Sequence, residues 1–120
     1  MANFEVARKD TRDVTVLQLT GFLDAHTAPE FENALKKLLD ESRFKIVVGL
    51  EELQYISSAG LGVFMGFIEE VRQNQGDIKI SQVSPRVYKV FDLLGFPSLY
   101  EFYDSSDEAI HQFTNATQKG

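Results

Sequence analysis

A short, almost uninterrupted apolar run, Lys45-Ile46-Val47-Val48, follows closely on a segment whose hydrophobic period is helical. A strand that reads as continuous apolar residues, with no polar alternation, is buried on both faces, and parallel sheets bury their strands that way. The segment before it begins Thr27-Ala28-Pro29-Glu30, a helix start with a mechanism. The Thr27 hydroxyl can accept from the third helical amide and Glu30 can reach back to the cap amide. Pro29 suits the first turn, where its missing N–H costs nothing. Phe31, Leu35, Leu38 and Leu39 then recur on one helical face. Helix followed by doubly buried strand is the second half of a right-handed βαβ unit. The chain is thereby restricted to the α/β class.

The remaining segments fit that class. Phe4 to Lys9 reads as a strand, Asp10-Thr11-Arg12-Asp13 as a turn, and Val14 to Thr20 as a second strand closed by Gly21. The opening is therefore a hairpin. Ser57 or Ser58 can cap a second helix with Leu61, Phe64, Met65, Ile68 and Val71 or Arg72 inward, ending at Gly76 as its C′ residue. Phe64, Met65 and Phe67 cannot all share one narrow stripe, so an apolar patch is expected to be left over. Asp77 to Ser81 is a strand. Ser84-Pro85 opens a short helix with Val87, Val90, Phe91 and Leu94 inward, stopped by Gly95. Leu99 to Tyr103 is expected as a fifth strand. Ser105-Ser106-Asp107-Glu108 is a second capping box, heading a helix to about Phe113, with a polar tail from Thr114 to Gly120. The expected architecture is one α/β domain: a mostly parallel sheet of four or five strands, an antiparallel first strand, and helices mainly on one face.

Composition narrows the function. The 120 residues, 43% apolar, suffice for one core. Twelve Lys and Arg against eighteen Asp and Glu leave a charge of −6, which disfavours nucleic acid as a partner. The absence of cysteine excludes disulfides, a thiol nucleophile and thiolate metal sites. His26 and His111 have no metal-motif spacing, so neither a metal nor a cofactor is expected. No apolar run approaches the roughly 18 residues of a membrane span, and Met1-Ala2-Asn3-Phe4-Glu5 does not open a signal peptide. A cytoplasmic protein without membrane contact is the expectation.

One segment strains the rules of a good helix start: Ser57-Ser58-Ala59-Gly60-Leu61-Gly62-Val63. Each glycine costs about 1 kcal/mol relative to alanine in a helix. Bare backbone there serves either the close approach of another group or tight helix–sheet packing. A helix N-terminus carries unpaired N–H donors and partial positive charge. A serine at that point can cap the helix, hold a phosphate, act as a nucleophile or be phosphorylated. Nucleophilic catalysis lacks support, since no GxSxG elbow and no dedicated base accompany the serines. Asp24 follows the second strand and Ser58 the third, so both are expected on the rim formed by the carboxyl ends of the strands.

Thr20-Gly21-Phe22-Leu23-Asp24, then Ile46-Val47-Val48, then Tyr55-Ile56-Ser57-Ser58-Ala59-Gly60-Leu61-Gly62, then Ser84-Pro85 with Val90-Phe91-Asp92-Leu93-Leu94-Gly95 follow a familiar order. Over nearly its whole length the chain resembles the bacterial anti-sigma-factor antagonists, whose fold is the STAS domain. The resemblance implies a non-enzymatic, partner-switching regulator of transcription. Such a protein binds an anti-sigma factor that is also a serine kinase, and is released when a serine is phosphorylated. A PP2C-type phosphatase is implied as a further partner. The phosphoacceptor carries over to Ser58, with Ser57 its rival, and partner contact to Asp24, Ser57, Ala59, Gly60, Leu61 and Gly62. Gly49 stands where the family usually has Asp or Asn, which removes a carboxylate or amide expected near the serine. A STAS-like module that binds a nucleotide or lipid at the same helix terminus is the alternative.

Overall fold

The computed structural model describes the backbone of residues 4–119 and the side chains of residues 4–114. The elements run β1 (Glu5–Thr11), β2 (Val14–Leu23), α1 (Ala28–Asp40), β3 (Lys45–Ile56), α2 (Ser58–Gln73), β4 (Asp77–Ser81), α3 (Pro85–Leu93), a 3-10 turn (Phe96–Ser98), β5 (Phe102–Tyr103) and α4 (Ser106–Lys119). They form a five-stranded sheet in the order β1-β2-β3-β4-β5. β1 is antiparallel to β2 and every other pair is parallel. This is the α/β architecture the sequence predicts.

Ile46 and Val48 point to one face of β3 and Val47 to the other, because successive strand side chains alternate. On the first face Leu17, Leu19, Ile46, Val48, Ile78 and Ile80 pack against α1, α2 and α3 through Phe31, Leu35, Phe64, Val71, Val87 and Phe91. Phe64 is the centre of that layer, with ring centroids of Phe31, Phe91, Phe96 and Tyr100 at 5.1, 5.6, 6.3 and 6.0 Å. On the second face Val14, Val16 and Val47 pack, among the described residues, with Ala109 and Phe113 of α4, with Tyr103 and Ile110 at the margin. Three helices therefore cover one side of the sheet and one covers part of the other. No helix among the described residues is long and apolar enough to cross a membrane.

Several boundaries differ from expectation, each for a local reason. β1 runs on to Thr11, paired with Val14, so the hairpin turn is Arg12-Asp13 alone. Gly21 does not close β2. It takes φ 96° at a register shift, and the strand continues to Leu23. The Thr27 box does not form, because the Thr27 hydroxyl is turned back to donate to Phe22 O at 2.8 Å. β3 extends eight residues past Val48 to Ile56, with only β2 beside it beyond Gly49. Met65 and Leu94, expected inside, are 48% and 58% exposed. Gln75, not Gly76, takes the left-handed position after α2 at φ 62°. Gly76 is needed because a Cβ there would overlap the Phe44 carbonyl. β5 is reduced to Phe102–Tyr103, since Leu99 closes the 3-10 turn and Tyr100 is buried under Phe64. Ser105 caps α4 as predicted, its Oγ accepting from Glu108 N–H. The Glu108 carboxylate, however, accepts from the Ser105 hydroxyl at 3.4 Å where the box would have it accept from the cap amide. The helix passes Phe113 to reach Lys119.

Candidate functional site

β2 and β3 finish together, with Leu23 paired to Ile56, so the segments after them emerge side by side on one rim. The Ser57 N–H donates to Leu23 O at 2.9 Å, which ties the start of α2 to the loop that begins at Asp24. The predicted nearness of Asp24 to the head of α2 thus has a backbone cause.

Ser57 is the N-cap residue, extended at φ −102° and ψ 174°, and its carbonyl accepts the first helical bond from Leu61 N–H at 3.0 Å. Its hydroxyl makes no capping bond. Ser57 Oγ is buried and has no partner among the described residues. Ser58, the first helical residue, is exposed. No acidic side chain lies in the first turn of α2, so the partial positive charge there is not neutralised within its own helix.

The glycines separate into two kinds. A Cβ on buried Gly60 would stand 2.7 Å from Leu23 Cγ and 3.0 Å from Ile56 Cγ1, closer than atoms pack. Gly60 is bare so that the first turn can lie directly on the strand ends. Gly62 and Gly66 have nothing within 4 Å of such a Cβ and leave open backbone on the outer face of α2. Leu61 is buried and belongs to the core, and Ala59 is half-buried. Of the segment expected to meet a partner, Ser58 and Gly62 are the members exposed at the surface.

Asp24 organises its own loop. Its Oδ1 accepts from His26 N–H at 2.9 Å and Thr27 N–H at 3.1 Å, while its own N–H donates to Thr27 Oγ1 at 3.0 Å. The Thr27 N–H is the main reason, with the His26 N–H, that its carboxyl lies below the ordinary carboxylate range. Gly49, by contrast, is not beside the serines. It lies within β3 between Gln18 and Ser81, roughly 20 Å of strand short of Ile56. The Gln18 side chain occupies the space a side chain at Gly49 would need.

An aromatic pair escaped the sequence analysis. Phe22 and Tyr55 face each other across β2 and β3, ring centroids 5.8 Å apart, and are 38% and 48% exposed. They alternate with buried Leu23 and Ile56, so they project from the opposite face of the strand ends. Alternation around those two apolar residues is the signal that would have found them.

The family model for the STAS domain matches residues 5–109. An anti-sigma-B factor antagonist of Staphylococcus aureus is 31% identical over 91 residues, 76% of this chain and 84% of that protein. One from Listeria monocytogenes is 28% identical over 106 residues, 88% of this chain and 92% of that protein. Among solved structures, an anti-sigma factor antagonist from Mycobacterium paratuberculosis superposes with a TM-score of 0.84 at 22% identity, covering 92% of this chain and 93% of that one. The antagonist SpoIIAA in its unphosphorylated form gives 0.80 at 24%, covering 94% and 97%. Its phosphorylated form gives 0.71 at 24%, covering 92% and 99%.

Proposed function

Because the chain belongs to the STAS domain family of anti-sigma-factor antagonists, we propose that it is a phosphorylation-controlled docking protein of the cytoplasm. In this reading unphosphorylated Ser58 and the surface around it engage an anti-sigma factor that is also a serine kinase. Phosphate on Ser58 releases that partner, and a PP2C-type phosphatase restores the docking form. The chain supplies no catalysis of its own. The observation that carries the reading is the contrast between the two serines: Ser58 is exposed at the first helical position, whereas the Ser57 hydroxyl is buried.

The physics of the switch follows from that position. Phosphorylation adds about 1.5 to 2 negative charges and three acceptor oxygens. At an exposed helix N-terminus that charge is favoured by about 0.3–1 kcal/mol, so the fold survives modification. Docking does not, because a dianion at the centre of a packed contact must be desolvated. Exposed Gly62, one turn along from Ser58, gives a partner access to the hydroxyl with no side chain in the way. Asp24 supplies a fixed carboxylate on the same rim.

The test is incubation with ATP and the partner kinase, followed by intact mass and site mapping. The parent and Ser57→Ala take up one phosphate on Ser58, and Ser58→Ala takes up none. Uptake by Ser58→Ala, or mapping to Ser57, overturns the proposal.

A further inference from the structure

A cavity of about 570 Å³ opens at the carboxyl ends of β4 and β5, where Gln82 and Asp104 leave the sheet and Glu51 of β3 forms a further wall. That volume is within the range of small-molecule sites, and the end of a parallel sheet is where α/β proteins place them. Its walls are held in place by the fold itself. The Phe102 ring meets Tyr88 edge-on at 5.2 Å and Phe91 at 5.5 Å. Gln82 N–H donates to Tyr103 O at 2.9 Å and Ile80 N–H to Glu101 O at 3.0 Å, which joins the two strands beneath the opening.

The lining selects the sign of the ligand. Glu51 and Asp104 are exposed carboxylates with no partner among the described residues, and no lysine or arginine lines the cavity. Lys79, on β4, is held by Asp77 at 3.3 Å and Glu101 at 2.5 Å. Each neighbouring helix start already has one amide capped by its serine, Ser84 Oγ accepting from Val87 N–H at 3.3 Å and Ser105 Oγ from Glu108 N–H at 3.1 Å. An anion entering here would meet two carboxylates and no cationic side chain on the lining. A cation would meet those carboxylates beside the aromatic side chains of Tyr88 and Phe102, a combination that holds ammonium and guanidinium groups, while the Tyr103 ring is already taken by the Lys79 ammonium, 5.8 Å from its centroid.

We propose that this cavity binds a small organic cation, an ammonium or guanidinium group on a compact apolar body. The site is separate from Ser58 and does not depend on the docking reading.

The experiment is a titration of the full ¹⁵N-labelled chain with choline, with agmatine, and with 3,3-dimethylbutan-1-ol, the uncharged isostere of choline. Inorganic phosphate is the anionic control. Amide shifts at Gln82, Tyr88, Phe102 and Asp104 should move saturably with at least one cation at millimolar concentration, and at least tenfold less readily with the alcohol. The pair Glu51→Gln and Asp104→Asn should weaken the cation at least tenfold. Tyr88→Leu, which keeps apolar bulk but removes the aromatic face, should weaken it severalfold. Neither carboxylate substitution touches a core contact, so unchanged urea midpoints will show that both chains remain folded. The proposal is overturned if neither cation gives saturable shifts, if the alcohol or phosphate matches them, or if cation binding survives loss of both carboxylates.

Discussion

Adding one methyl group at each of two glycines of α2 should move stability in opposite directions. In Gly60→Ala the new Cβ would lie 2.7 Å from Leu23 Cγ and 3.0 Å from Leu23 Cδ2 and Ile56 Cγ1. Leu23 and Ile56 are fully buried ends of paired strands, so neither can rotate into solvent to make room. Overpacking of this kind costs about 1–3 kcal/mol, while replacing a helical glycine returns at most about 1 kcal/mol. With the full propensity return the net expectation is a loss of up to about 2 kcal/mol, and in no case the gain expected at an open glycine. Gly62→Ala meets nothing within 4 Å and keeps only the propensity gain, up to about 1 kcal/mol of added stability. Urea unfolding of both variants at unchanged m-value measures the difference. If Gly60→Ala gains as much stability as Gly62→Ala, the strand ends are not packed against α2 as described, and Gly60 must be bare for another reason. In the docking assay the order of effects differs: Gly62→Ala, although stable, should weaken partner binding because its methyl stands on the open face beside Ser58.

Three further outcomes follow from the same rim and its surroundings. Ser57→Ala removes a buried hydroxyl that has no partner and caps nothing, so stability should be unchanged or rise by up to about 1 kcal/mol; a loss above about 1 kcal/mol in urea unfolding would mean that Oγ does cap the helix. Asp24→Ala frees two loop amides that water can reach, so it should lower stability only slightly, and should weaken partner docking; Asp24→Asn keeps an acceptor oxygen and so the loop, and unchanged affinity in both variants would leave Asp24 a purely local role. Five carboxyls are held below the ordinary carboxylate range: Asp10 and Glu41 by Arg8, Asp13 by Lys45, Asp24 by the Thr27 N–H and Glu101 by Lys79. Each contributes stability above its unfolded pKa that disappears as pH falls through its lower folded value, so the urea midpoint should be level from neutral pH to about 5 and decline below about 4; a midpoint that rises on acidification contradicts those pairings.

Where hydrophobic period and local chemistry agreed, the fold was legible in the sequence. α1, β4 and the Ser105–Glu108 cap emerged as predicted because each is decided by residues within one or two turns of itself. The misplaced boundaries depend on contacts distant in sequence. Glu51 and Glu52 make the second half of β3 look like a loop, yet it is a strand because β2 lies beside it alone and leaves polar residues in water. Gly21 has the form of a stop, but a bulge uses its positive φ to carry β2 onward. Thr27 has the form of a cap until Phe22 and Asp24, from the strand end, claim its hydroxyl. The Ser57–Gly62 segment could be located from residue types alone. Which glycine packs and which is open, and which serine is buried, depend on where Leu23 and Ile56 end.

The affinity of the anti-sigma partner for the chain before and after stoichiometric phosphorylation of Ser58, measured by calorimetry with circular dichroism on the same samples, tests the switch most directly. The expected result is a loss of at least about a hundredfold, about 2.8 kcal/mol at 1.4 kcal/mol per tenfold, with an unchanged spectrum. Equal affinity for the two forms, or a loss accompanied by unfolding, would contradict a switch that works by charge at the head of α2.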